Sequence, residues 1–444
     1  MTRRLTTIFA GVYVCLAAGA CGGDAKGDGK NSDNVVSCED DVCVLSGTIS
    51  ENLTLTADKQ WVLHGGVFVG DDNEETQLTI EAGTQIYGET SSLSMLVITR
   101  GSKIFANGTA EAPIVFTSSK EPGSRARGDW GGLIINGWAR INSCSEDGLC
   151  EALGEGGTGY YGGDDDTDDS GILRYVRIEF AGRLVSPDNE LNGLALQGVG
   201  SGTVIENLQI HMPKDDGIEF FGGTVGFRYV LVTGAADDSL DWTDGWRGKG
   251  QFFVAQQYDD AGDNGIEADN NGERNDATPR SEPTLSNITL IGSPDSTQSN
   301  MGMLLREGTG AHIQRALVLG WNQACLDIDH SETFSAAVDD ETHALTGVLT
   351  ITESMIDCAT PFAQDADDLF DVSTFFQDQG NWVGESDLDD PYNAQQPSFK
   401  PGSGAALTST DPLSEDDFFI SAAFLGGVDP AFDWTAGWTS QVRD

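Results

Sequence analysis

The chain has 444 residues, with 71 acidic against 24 basic side chains and a formal charge of -47. That balance excludes a nucleic-acid partner, because phosphate recognition needs Lys and Arg, and it creates a field that attracts cations and repels acidic polymers. The 56 glycines stand beside only 13 prolines with no three-residue period, which excludes collagen.

Residues 1–20 are expected to be a signal peptide: Arg3 and Arg4 precede an apolar run too short to span a membrane. The run ends "LAAGACGG", which resembles the bacterial lipobox and marks Cys21 as the lipidated residue, although Ala18 stands at the usual Leu position. Residues 21–45 then read as a polar, lipid-anchored tether. The expected placement is export, with a membrane partner through the lipid anchor at the outer membrane or cell surface.

Cys15 lies in the signal segment. Setting aside Cys21, six cysteines remain as local pairs, Cys38/Cys43, Cys144/Cys150 and Cys325/Cys358. An exported chain meets oxidising conditions, so disulfides are expected. Zinc would need CxxC or Cys-His spacing, which is missing.

From 46 to 360 short alternating segments are separated by Gly, Asn and Asp turns. "LRYVRIEFAG" (173–182), "IENLQIHMPKDDGIEF" (205–220) and "FRYVLVTGAADDSLDW" (227–242) align without gaps at their aliphatic positions. Each unit is too small to bury its own apolar residues and must stack on its neighbours. The predicted fold is all-β, a right-handed parallel β-helix; a β-propeller is the rival, but its blades need longer repeats. Residues 143–170 read as an insertion, and 361–444 as a C-terminal capping region.

Within the repeats, "DDGIEF" (215–220), "DDSLDW" (237–242) and "DNGIEA" (263–268) share one pattern. Strand alternation places Ile218, Leu240 and Ile266 inside and Glu219, Asp241 and Glu267 outside, as one column. Asp216, Asp238 and Asn264 form a second column at the turn, and Asp215, Asp237 and Asp263 a third. Carboxylates stacked about 4.8 Å apart repel by roughly 1 kcal/mol in water and about 3 to 4 at an effective dielectric near 20. Ca²⁺ could bridge the rungs through oxygen ligands, Lys214, Arg247 or Lys249 could intervene, or some acids could titrate upward. A solvated acidic face is the plain alternative. A catalytic reading would use Asp215 and Asp216 with Lys214, Arg247 or Lys249, but no Gly-His-Gly follows. Asp164, Asp166 and Asp168 alternate like the start of an EF-hand loop, which then fails at Asp169 and Tyr175. Trp130, Trp138, Trp242, Trp246 and Trp321 are candidates for stacking on sugar rings or for the core.

"LTIEAGTQIYG", "ITRGSKIFANGTAEAPIVFTS", "GDWGGLIINGWARIN", "DDSLDWTDGWRGKGQF" and the closing "DWTAGWT" together resemble a family of bacterial surface lipoproteins, over roughly residues 77 to 440. The resemblance implies a right-handed β-helix and a surface location and brings no reaction. At the fold level the chain also looks like the pectin-lyase superfamily. The expected function is binding or adhesion at the cell surface, stabilised by Ca²⁺, with a polysaccharide or cell-surface partner. The alternatives are a polysaccharide lyase or glycoside hydrolase of this fold, and a structural envelope protein.

Overall fold

The computed structural model describes residues 35–72, 75–144, 150–186, 189–339, 341–386, 388–393, 395–401 and 416–444. The expected signal peptide 1–20 and Cys21 lie outside the described residues.

Period-two alternation yields strands, and the strands stack in parallel into a right-handed coil. One face carries Met95–Ile98, Leu133–Asn136, Leu194–Gln197, Ile218–Phe221, Leu240–Thr243, Ile266–Ala268, Met301–Leu305 and Ala324–Ile328, each pairing with the next. The parallel ladder rules out propeller blades, whose strands pair antiparallel. Leucine, isoleucine and valine at matching positions stack inward: Ile218 lies against Leu240, and Leu240 against Ile266, all fully buried.

The other two faces share long strands such as Gly171–Glu179, Val204–His211, Gly226–Thr233, Lys249–Gln256, Thr284–Ile291 and Ala311–Leu319. Each bends at one residue with positive φ: Tyr175, Asn207, Tyr229, Phe252, Asn287 and Arg315, at 48° to 60°. These residues fall between the two runs of ladder pairing, so they form a corner column. Left-handed backbone is uncommon for side chains of this size, and here the ladders on both sides hold it.

Two expected boundaries move. The stretch 21–45 is not all tether, because Val36–Glu39 and Val42–Ile49 form an antiparallel hairpin closed by Cys38–Cys43, and Val42–Leu45 starts the coil by pairing with Gln60–Leu63. The stretch 361–444 is not all cap. Helix Val372–Asp378 continues the coil's core through Val372, Phe375 and Phe376, together with Phe334 of helix Ser331–Ala337.

Residues 416–444 instead lie along the flank of the long strands. Gln251 exchanges two hydrogen bonds with Ile420, both 2.8 Å, and Gln209 holds Ser440 at 2.6 and 2.7 Å. Phe424, Leu425, Val428, Trp434 and Trp438 cover Leu231, Phe252, Val254, Ile291 and Leu317. The apolar outer residues of these strands demand that cover. The remaining disulfides, Cys144–Cys150 and Cys325–Cys358, join the expected partners.

Candidate metal centre

The acid motifs of three successive rungs arrive in register, Glu219 beside Asp241 and Asp241 beside Glu267. The same outer column runs through Phe68, Val97, Ile134 and Ala195 before these acids and through Leu304 to Asp327 after them. The apolar part is covered by Ile141, Tyr161 and Leu191, the first from the approach to the insertion 143–170 and the second from within it. The carboxylates therefore begin where that cover ends.

At the turn, Asp216 and Asp238 have a backbone task. Asp216 Oδ1 accepts the amide of Asp238 at 2.9 Å, Asp238 Oδ1 accepts that of Asn264 at 2.6 Å, and Asn264 Oδ1 accepts that of Met301 at 3.1 Å. Each side chain thus caps the next rung. One oxygen per aspartate is used in this way, which leaves the other oxygen for the cluster.

The result is four overlapping groups: Asp215, Asp216 and Asp237; Asp216, Glu219 and Asp241; Asp237, Asp238 and Asp263; Asp238, Asp241 and Glu267. Within each, one oxygen per residue lies within 4.8 Å of the others. Two of the groups share Asp241. Its Oδ1 is buried and has no hydrogen-bond partner.

The carboxylates are not a solvated face. Glu219, Asp216 and Asp238 are at most 9% exposed. Burial, reinforced by neighbouring carboxylates, pushes Asp216, Glu219, Asp238 and Asp241 well above the usual carboxylate range. The same causes raise Asp215 to about 8 and Asp237 to about 6. Glu267 rises to about 7 because burial outweighs the opposing charge of Arg306, and burial also raises Asp263.

Several contributors were not legible in the motifs. Asn192 donates to Glu219 at one end, and Asn300 donates to Asp263 at the other. Arg306 pairs with Glu267 and, at 2.9 Å, with Asp269. Glu155, raised to about 7 by burial and by Glu190, adds negative charge toward Asp215. Glu155 belongs to the insertion, whose docking position no local pattern announces.

The expected cations are mostly engaged elsewhere. Arg247 pairs with Asp166 at 3.2 Å, and Lys249 pairs with Asp416 of the tail. Exposed Lys214 lies close enough to Asp215 to oppose its upward shift. Among the described residues, Arg306 makes the one ion pair to the eight ladder carboxylates.

The run at 164–168 is separate from the ladder. Asp164 is exposed, Asp166 is bound by Arg140 at 2.7 Å as well as by Arg247, and Asp168 accepts from Ser170 at 3.2 Å. It joins none of the four groups.

The ladder offers only oxygen donors, without His or Cys, which selects hard cations over zinc or copper. Its uneven carboxylate geometry suits Ca²⁺, which accepts six to eight oxygens, better than octahedral Mg²⁺. The partnerless buried Oδ1 of Asp241 fits the same ion, since a buried polar atom without a partner is costly.

No curated protein and no solved structure matches the chain. The family model described as a pectate-lyase like beta helix domain matches residues 47–386. Over that span, which holds the whole ladder, the chain belongs to the pectate-lyase like beta helix domain family.

Proposed function

We propose that this β-helix is an exported binding protein, held at the cell surface by lipid on Cys21, whose carboxylate ladder takes up Ca²⁺. The observation that carries the reading is Asp241: a buried oxygen without a partner, between two groups of carboxylates that one cation each could bridge. The ion would be held by Asp216, Glu219 and Asp241 in one group and by Asp238, Asp241 and Glu267 in the next. Bound Ca²⁺ supplies positive charge where rung stacking forces acids together, and so ties successive coils to one another. Adhesion to a cell-surface partner would then depend on calcium.

Calcium titration of the purified chain tests this reading by calorimetry and by thermal melting. A melting temperature raised by millimolar Ca²⁺ and lowered by a chelator is expected; indifference to both would sink the proposal. Changing Cys21 to Ser should release the protein from membranes, as followed by fractionation.

Lyase chemistry is the second reading, favoured by Lys214, which stands exposed beside Asp215. A base next to a cation-held uronate is what proton abstraction requires. Calcium-dependent release of unsaturated products from uronate polymers, abolished by Lys214→Ala, would decide for it.

A further inference from the structure

Away from the ladder, the turns leaving the first face border two cavities of about 510 and 500 Å³ that share Glu151. Each lies within the size range of small-ligand sites. One is lined by Ser143, Asp244, Asn271, Glu273 and Arg274, and the other by Trp138, Arg140, Asp164 and Pro279.

The polar groups are held in place before any ligand arrives. Asp244, with φ 57°, accepts hydrogen bonds from Ser143 at 2.5 Å, Tyr161 at 3.0 Å and Asn271 at 3.3 Å. Glu151 is fixed by Arg100 Nη1 at 2.6 Å, and the Arg100 guanidinium lies 4.1 Å from the centre of the Trp138 ring. Disulfide Cys144–Cys150 borders both cavities, with Cys144 on one and Cys150 on the other.

Aromatic placement separates Trp138 from the other candidates. Trp130, Trp242, Trp246 and Trp321 are at most 1% exposed and belong to the core, whereas Trp138 is half-buried in a cavity wall. An indole beside fixed carboxylates and an amide is the combination that recognises a pyranose: the ring packs on its C–H face, and planar acceptors bind its hydroxyls. Charge narrows the choice further. Glu151, Asp164, Asp244 and Glu273 outnumber Arg140 and Arg274, and Asp166 already engages Arg140. In a chain of charge -47, such a groove disfavours uronates and sulfated sugars.

We propose that this groove is a binding site for an oligosaccharide without acidic groups, distinct from the ladder and independent of calcium. The test is titration calorimetry of the full chain with neutral glucose and N-acetylglucosamine oligomers and with a uronate oligomer, in calcium and in chelator. A neutral oligomer should bind equally in both conditions. Trp138→Ala and Glu273→Gln should each weaken it about tenfold or more. Glu273 is exposed, so its variant should melt like the parent and tests the site even if Trp138→Ala fails to fold. Any of four results overturns the proposal: no neutral oligomer binds; only the uronate binds; binding disappears in chelator; or Glu273→Gln binds as tightly as the parent. None of these results bears on the calcium reading, which is tested by titrating the ion itself and by melting with and without it.

Discussion

Asp241 has carboxylates on both sides of it in the column, Glu219 and Glu267, and a buried Oδ1 that accepts no hydrogen bond. Asp241→Asn removes, at nearly constant shape, a group that must either retain a proton or bear an unpartnered charge. In chelator the variant should be more stable than the parent by about 1–2 kcal/mol, while the rise in melting temperature produced by calcium should shrink; urea unfolding with and without the ion measures both. The ladder also sets a pH trend. Folding raises its carboxyls above their ordinary 3.8 and 4.5, with Asp237 to about 6, Glu267 to about 7 and Asp215 to about 8. The folded chain therefore holds more protons than the unfolded one, and this contribution is present below about pH 4 and lost as pH climbs toward about 8. Without calcium, these groups should make stability fall over that window. Because the cation replaces protons, the calcium-induced rise should grow from about pH 5 to about pH 8, which calorimetry at the two values would show.

Among the elements, the tail 416–444 and the insertion 143–170 do comparable work on different faces. Both cover apolar residues that strand alternation turns outward, Val254 and Leu317 under the tail and Ile134 and Ala195 beneath the insertion. Trp434 is buried, donates to Gly427 at 2.8 Å and meets Tyr229 edge-on at 5.6 Å. Trp434→Ala should cost about 3–5 kcal/mol and leave calcium affinity unaltered, since the ladder lies on another face. The tail also rests on His211, whose Nε2 is 2.9 Å from the carbonyl of Val442. Burial pushes His211 down to about 4 from an ordinary 6.5. Its stabilising share is complete above 6.5 and is lost as pH falls toward 4. Protection against hydrogen exchange within 416–444, corrected for the intrinsic pH dependence of exchange, should accordingly fall on acidification before the coil itself opens.

For the molecule as a whole, a charge of -47 on a folded coil means general self-repulsion, which salt screens over about 10 Å at 0.1 M. Sodium chloride should therefore raise the melting temperature modestly in chelator. Millimolar calcium should raise it more, because buried ladder oxygens are poorly screened by monovalent ions yet can coordinate the divalent one. A melting curve that responds equally to both salts at matched ionic strength would contradict site binding. Much of this architecture was legible beforehand. The period-two patterns around Ile218, Leu240 and Ile266 define rungs, and the fixed offset of the acids from these core positions puts them in register, because parallel stacking repeats whatever the strand carries. The local cysteine pairs were equally clear. The burial of the ladder was not legible, nor were its contacts with Arg306 and Asn192 or the added charge of Glu155, since those residues reach it from other turns or from the docked insertion. Nothing in 361–444 distinguished a terminal cap from a lateral cover, because either would present the same apolar and aromatic residues. The sequence by itself determined the coil and its column of acids, through alternation and repeat. Only the tertiary structure decided which outer faces are covered, and thereby turned a row of surface carboxylates into buried, proton-retaining groups suited to a cation.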